Sequence, residues 1–141
     1  MEVKQVMNRQ VIAVSPEEPV SVAARLMTRH NVGALPVRDR DGSLCGILTD
    51  RDVVTRCVAL ERPLQETSVA RVMTARVATV PPTASLDQAA ALLSREQVRR
   101  LPVVEGRRLV GMVTLSDLSR QAPAQDTADV LREITANIKH L

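Results

Sequence analysis

Two seven-residue stretches carry the residue types that could do chemistry: Gly46-Ile47-Leu48-Thr49-Asp50-Arg51-Asp52 and Gly111-Met112-Val113-Thr114-Leu115-Ser116-Asp117. Both run glycine, two apolar residues, threonine, two variable residues, aspartate. The apolar pair followed by threonine predicts a buried strand ending at the N-terminus of a helix, where free backbone N–H groups and the helix dipole favour a phosphate. The aspartate, one turn into that helix, offers two acceptor oxygens that match two adjacent sugar hydroxyls. The same Thr-x-x-Asp spacing is also a capping arrangement, in which both side chains are consumed by backbone N–H groups. The residues leave both readings open, and the two roles do not exclude each other. Arg51 is the cation nearest Asp52 in sequence; the second copy has Leu115 and Ser116 there, but carries Arg99 and Arg100 before Leu101-Pro102, where the first has Gly33 and Ala34. Exposed arginines that merely add to a basic field are the simpler reading of all three.

The elements that must position these residues are themselves duplicated. Val6-Met7 matches Val72-Met73, Val14-Ser15-Pro16 matches Val80-Pro81-Pro82, Ala23-Ala24 matches Ala89-Ala90, and Leu35-Pro36-Val37 matches Leu101-Pro102-Val103. Such repetition sets the architecture before any single element does. In each copy a short β-branched run stopped by proline predicts a strand, Val11 to Val14 and Val77 to Val80. Apolar residues at helical spacing predict helices from Pro19 to His30 and from Ser85 to Gln97. Ala34 to Arg38 and Arg100 to Val104 read as strands, turned at Asp41-Gly42 and Glu105-Gly106 into Leu44 to Leu48 and Leu109 to Val113. A second helix follows, about Asp50 to Leu60 and Leu115 to Gln121. The unit is β-α-β-β-α twice, an α/β (α+β) chain with copies at 1–60 and 68–121 joined by a linker at 61–67. Residues 122–141 form a tail whose helix, Asp126 to Leu141, places Val130, Ile134, Ile138 and Leu141 on one face.

Composition narrows the function classes. Of 141 residues 45% are hydrophobic and none is aromatic, so the core is aliphatic and a base-stacking platform for single-stranded nucleic acid is excluded. The net charge of +3 is concentrated in the second copy, where residues 68–120 hold eight arginines against four acids. With so small an excess and no DNA-reading motif, nucleic acid is not expected as a partner. Cys45 and Cys57 have neither metal-ligand spacing nor disulfide density and read as inert buried thiols in a reduced compartment. His30 reads as a helix-end residue. No apolar run approaches the roughly 20 residues that span a bilayer. The expectation is a cytoplasmic protein with no membrane association and no metal.

The paired Gly-x-x-Thr-x-x-Asp segments, the two Leu-Pro-Val strands and the two Val-Met openings resemble the CBS domain, a small β-α-β-β-α unit usually found as a tandem pair called a Bateman module. The resemblance covers residues 1 to about 120. It implies two repeats packed about a pseudo-two-fold axis, with clefts that take adenosine-containing ligands such as AMP, ADP, ATP or S-adenosylmethionine. By position it implies ribose or phosphate contacts from Asp52 with Thr49 and from Asp117 with Thr114, and phosphate contacts from Arg99 and Arg100, with Arg51 available in the first cleft. The positions that resemble the family's adenine-lining segments are Ile12, Ala13 and Val14 with Val32 and Leu35 in the first copy. In the second they are Ala78, Thr79 and Val80 with Val98 and Leu101. All are apolar-strand residues first, equally readable as core.

No nucleophile, base and orienting group converge in the sequence, and no phosphate-binding lysine loop is present. The expectation is a non-enzymatic sensor with no obligatory cofactor and an adenine nucleotide as regulatory ligand. It would form a homodimer and signal to an unidentified protein target. A ligand-free dimerisation module is the rival reading. Because the two copies differ in their arginines, the two clefts should differ in affinity.

Overall fold

In the computed structural model of the chain, residues 1–121 are described; the tail helix expected at 126–141 lies outside them. The described chain forms two compact units. A central unit is Ile12–Val77, and a flanking unit joins Met1–Val11 to the chain from Ala78 onward.

In the central unit, α1 (Val20–His30) leads into β1 (Ala34–Arg38), which turns back as β2 (Leu44–Thr49). The hairpin pairs Leu35 with Leu48 and Val37 with Gly46, and its register shifts between Val37 and Arg38. Gly42, at φ 89°, takes the left-handed turn position that a side chain disfavours. From Thr49 the chain enters α2 (Asp50–Val53), which widens into a π turn at Val54–Val58. The single helix expected over 50–60 is therefore two kinds of helix in series. The wider turn buries Cys57 while Val54 and Val58 are 57% and 53% exposed. After a loop comes α3 (Val69–Val72).

The flanking unit repeats this plan. A single 3₁₀ turn at Val3–Gln5 occupies the place of α3, and α4 (Leu86–Glu96), β3 (Arg100–Glu105), β4 (Arg108–Thr114) and α5 (Leu115–Ser119) follow in the expected order. Helix α4 starts on a reciprocal cap between Ser85 and Gln88 and ends with Gln97 in the left-handed conformation; α1 ends the same way at Asn31. His30 is the exposed last residue of α1.

The strands expected at 11–14 and 77–80 reduce to one bridging residue each. Val14 pairs in parallel with Val37, and Val80 with Val103. The proline that follows closely ends any further ladder. On the other edge of each hairpin an antiparallel bridge forms, Ile47 with Thr74 and Met112 with Asn8. Each core is aliphatic, as the composition requires: Val20, Ala23, Leu35, Leu48, Val69 and Val72 in the central unit, Val3, Ala89, Leu93, Leu101 and Val113 in the flanking one. The opening of the chain thus completes the unit built by the second copy, and residues 69–74 complete the unit built by the first.

Cys57 is fully buried, its thiol directed at the Arg62 carbonyl at 3.5 Å. Cys45 is partly exposed rather than buried, 3.6 Å from Asp39 Oδ2. Burial, and then the Asp39 carboxylate, push the Cys45 thiol up from its ordinary pKa. At pH 7.5 N-ethylmaleimide should therefore label Cys45 several-fold more slowly than a free thiol, with Asp39→Asn accelerating the reaction. Cys57 should react only after unfolding. Mass spectrometry of the labelled peptides reads both; rapid labelling of native Cys57 would contradict the packing.

Candidate functional site

Each strand-to-helix junction is built by one hairpin and one short helix. In the central unit Thr49 ends β2 and caps α2 reciprocally: its Oγ1 accepts from the Asp52 N–H at 3.0 Å, and Asp52 Oδ2 accepts from the Thr49 N–H at 3.1 Å. In the flanking unit Thr114 Oγ1 accepts from the Asp117 N–H at 3.1 Å, and Asp117 Oδ2 from the Thr114 N–H at 2.9 Å. The capping reading of Thr-x-x-Asp is therefore realised in both copies. The first helical N–H is also used, that of Asp50 on the Gly33 carbonyl and that of Leu115 on the Arg99 carbonyl. Little of the free N–H cluster expected at these junctions remains, because the cap and the preceding strand satisfy it locally.

What differs between the copies is the second oxygen of each aspartate. Asp52 is 7% exposed. Its Oδ1 faces Arg56 Nη1 at 3.8 Å, and its Oδ2 also accepts from the Thr74 hydroxyl at 3.4 Å. Arg56 Nη1 lies within hydrogen-bond reach of the carbonyls of Val72 (3.2 Å) and Met73 (3.1 Å) and of Thr74 Oγ1 (3.2 Å). Asp117 Oδ1 instead pairs with Arg120, whose side chain is 68% exposed. Arg56, Thr74 and Arg120 were not singled out by sequence reasoning. The spacings Asp52 to Arg56 and Asp117 to Arg120 are helical ion-pair spacings and could have flagged both arginines. Thr74 carries no local signal.

The other expected site residues fall into three groups. Arg100 opens β3 directly opposite Thr114, and the exposed Arg99 precedes it, so both are brought to the Thr114–Asp117 end of the flanking sheet. Arg51 is exposed on the first turn of α2 beside Asp52. Of the apolar set, Val14, Leu35, Val80 and Leu101 are buried in their cores. Ala13, Val32 and Ala78 are half-buried, and Ile12, Thr79 and Val98 are exposed. Thr79 and Val80 also line a groove of about 460 Å³ with Ala84, Gln88, Leu92 and Arg95, which none of the threonines or aspartates of the motif enters. Among the described residues no group of three His, Cys, Asp or Glu could hold a metal ion, and no helix is long and apolar enough to cross a membrane.

A family model for the CBS domain matches residues 3–59 and again 69–124. The chain belongs to the CBS-domain family. As a tandem CBS protein it is 41% identical over 138 residues to the CBS domain-containing protein YhcV of Bacillus subtilis, an alignment spanning 98% of this chain and 95% of that one. The crystal structure of Hypoxic Response Protein I with two coordinated zinc ions superposes with a TM-score of 0.79 at 33% identity, covering 87% of this chain and 100% of the other. The CBS domain pair of protein MJ0100, in complex with 5′-methylthioadenosine and S-adenosyl-L-methionine, superposes with a TM-score of 0.72 at 30% identity, covering 85% and 94%.

Proposed function

We propose that this CBS protein is a non-catalytic regulatory module that binds an adenosine-containing ligand, AMP, ADP or ATP before others, at its Thr-x-x-Asp junctions. The observation that carries the reading is the flanking unit's arrangement. A carboxylate sits one helical turn from a strand end, and Arg99 and Arg100 stand at the same end of the sheet. A carboxylate suits a ribose diol once Arg120 releases Oδ1, and two arginines at the same end of the sheet suit phosphates. The adenosine ligands of the MJ0100 domain pair support the ligand class. In this reading the exposed Ile12, Thr79 and Val98 contribute to the adenine contacts and Arg51 serves the junction at Asp52. Binding shifts the population between arrangements of a cytoplasmic homodimer, and a protein target reads the shift. No reaction is catalysed.

Calorimetric titration with AMP and ATP tests this. Asp117→Ala should weaken binding at least about tenfold, the loss of charge-assisted hydrogen bonds to the diol. Melting temperature checks that the lost cap, worth about 1 kcal/mol, has not unfolded the variant. Undiminished binding in Asp52→Ala/Asp117→Ala would remove both aspartates from the site. The rival reading, a ligand-free dimerisation module, is favoured by the fact that both carboxylates are already occupied within their own units. It wins if no adenosine compound raises the melting temperature while the protein elutes as a stable dimer.

A further inference from the structure

The geometry points to Arg56 as a latch that keeps the Asp52 junction closed to ligand, so that the two copies of one motif are not equivalent sites and the Asp117 junction is the one open to an adenosine compound. The inference rests on the adenosine-binding reading of these junctions and adds to it a device that chooses between them.

A carboxylate can hold a sugar diol only if its acceptor positions are free or cheaply freed. Around Asp52 they are not. Oδ2 already takes the Thr49 N–H and the Thr74 hydroxyl, Oδ1 faces the Arg56 guanidinium, and the residue is 7% exposed. Arg56 itself is held elsewhere, since Nη1 lies at 3.1–3.2 Å from the carbonyls of Val72 and Met73 and from Thr74 Oγ1. That segment is in turn fixed to β2, with Thr74 and Ile47 exchanging both backbone hydrogen bonds at 2.8 and 2.9 Å. Arg56 faces Oδ1 at 3.8 Å without a hydrogen bond, so a ligand that takes Oδ1 must move a guanidinium whose two Nη1 hydrogens are shared among the Val72, Met73 and Thr74 oxygens.

The two carboxylates are buried alike, the Asp52 side chain 10% and the Asp117 side chain 13% exposed; what differs, among the described residues, is how the arginine is held. Arg120 hydrogen-bonds Asp117 directly, but it is 68% exposed against 47% for Arg56, and the pair is a surface ion pair on one short helix that yields readily. At the position matching Thr74 stands Asn8, whose side-chain oxygen accepts from the Gln10 N–H at 3.0 Å within its own loop. At the position matching Arg56 stands the exposed, uncharged Gln121.

The test is AMP titration of the full chain and of Arg56→Met, which keeps the side-chain length and removes the guanidinium. Native protein should take one AMP per chain, abolished by Asp117→Ala and kept in Asp52→Ala. Arg56→Met should take two, the second abolished by Asp52→Ala. Hydrogen exchange read on the same variant should be at least about tenfold faster at the Thr74 amide and unchanged at the Asn8 amide, the mark of a released latch. Two equivalent sites in native protein, or a single Asp117-dependent site in both proteins, overturns the latch while leaving the adenosine reading intact. Loss of AMP binding in Arg56→Met makes Arg56 a ligand contact and equally overturns it. Absence of AMP and 5′-methylthioadenosine binding from both proteins overturns the adenosine reading itself. Should Arg56→Met fail to fold, Arg56→Lys decides, because a lysine cannot span the same acceptors and should admit the second AMP.

Discussion

Replacing Gly46 by alanine should destabilise the central unit by about 2–3 kcal/mol, the upper range for forcing an extra carbon into a packed site. A Cβ at Gly46 would stand 2.4 Å from the Thr74 carbonyl oxygen and 3.2 Å from Met73 Sδ. The carbonyl is backbone, and it accepts the Ile47 N–H at 2.9 Å, so it cannot retreat without breaking the bridge that closes this edge of the sheet. Thermal unfolding should show a melting temperature lower by roughly 6 °C or more. The matching change, Gly111→Ala, meets Met7 Sδ at 2.6 Å and the Asn8 carbonyl at 3.0 Å. A thioether on a flexible stem can swing aside, and the carbonyl need yield only a few tenths of an ångström, so the cost should be less than half as large. Equal losses in the two variants would show that the close approach of Thr74 is not what requires glycine. Whatever ligand the motif takes, its glycine is explained by packing.

Deletion of residues 2–9 should unfold the flanking unit and leave the central unit's hairpin protected. The segment supplies Val3, which is fully buried in the flanking core, with Val6 and Met7 packed against it. It also supplies backbone hydrogen bonds from Val3 to Ala84, from Lys4 to Pro82, and both ways between Asn8 and Met112, at 2.8–3.0 Å. A buried valine at about 1.5–3 kcal/mol and four net hydrogen bonds at about 1 kcal/mol each come close to the whole stability of a small unit. In the deletion variant the amides of Leu101, Val103 and Val113 should exchange at unprotected rates, while those of Leu35 and Leu48 should stay slow. Val3→Ala gives the graded version, at about 2 kcal/mol, with the same amides affected first. Loss of protection confined to residues near 84 and 112 would mean that the segment is only an edge cover.

The unequal state of the two aspartates bears on how such a module could respond to its ligand. In the proposed scheme one junction would bind on arrival, and the other would open only when the segment at 72–74 lets go of Arg56. A single motif, duplicated, can thus yield one ready site and one held in reserve, through two residues outside the motif. The asymmetry expected from Arg51, Arg99 and Arg100 concerns phosphates alone; the proposed latch would add an asymmetry at the two aspartates.

Much of this was legible in the residues because it is local. The order of helices and strands, the hairpins at Asp41-Gly42 and Glu105-Gly106, and the reciprocal caps of Thr49 with Asp52 and Thr114 with Asp117 all follow from spacings of a few residues. Duplication made each reading a check on the other. The sequence therefore determined by itself that two β-α-β-β-α units exist and where each candidate carboxylate stands. Only the tertiary structure decided that the opening around Val3 completes the second copy's unit, that Val14 and Val80 bridge as single residues, and that Thr74 and Arg56 close over Asp52. The Asp52–Arg56 spacing is local, but the contacts that anchor Arg56 and fill the sheet edges join residues 16 to more than 80 positions apart, and no local periodicity encodes which distant backbone will fill an edge or which carbonyls will anchor a guanidinium.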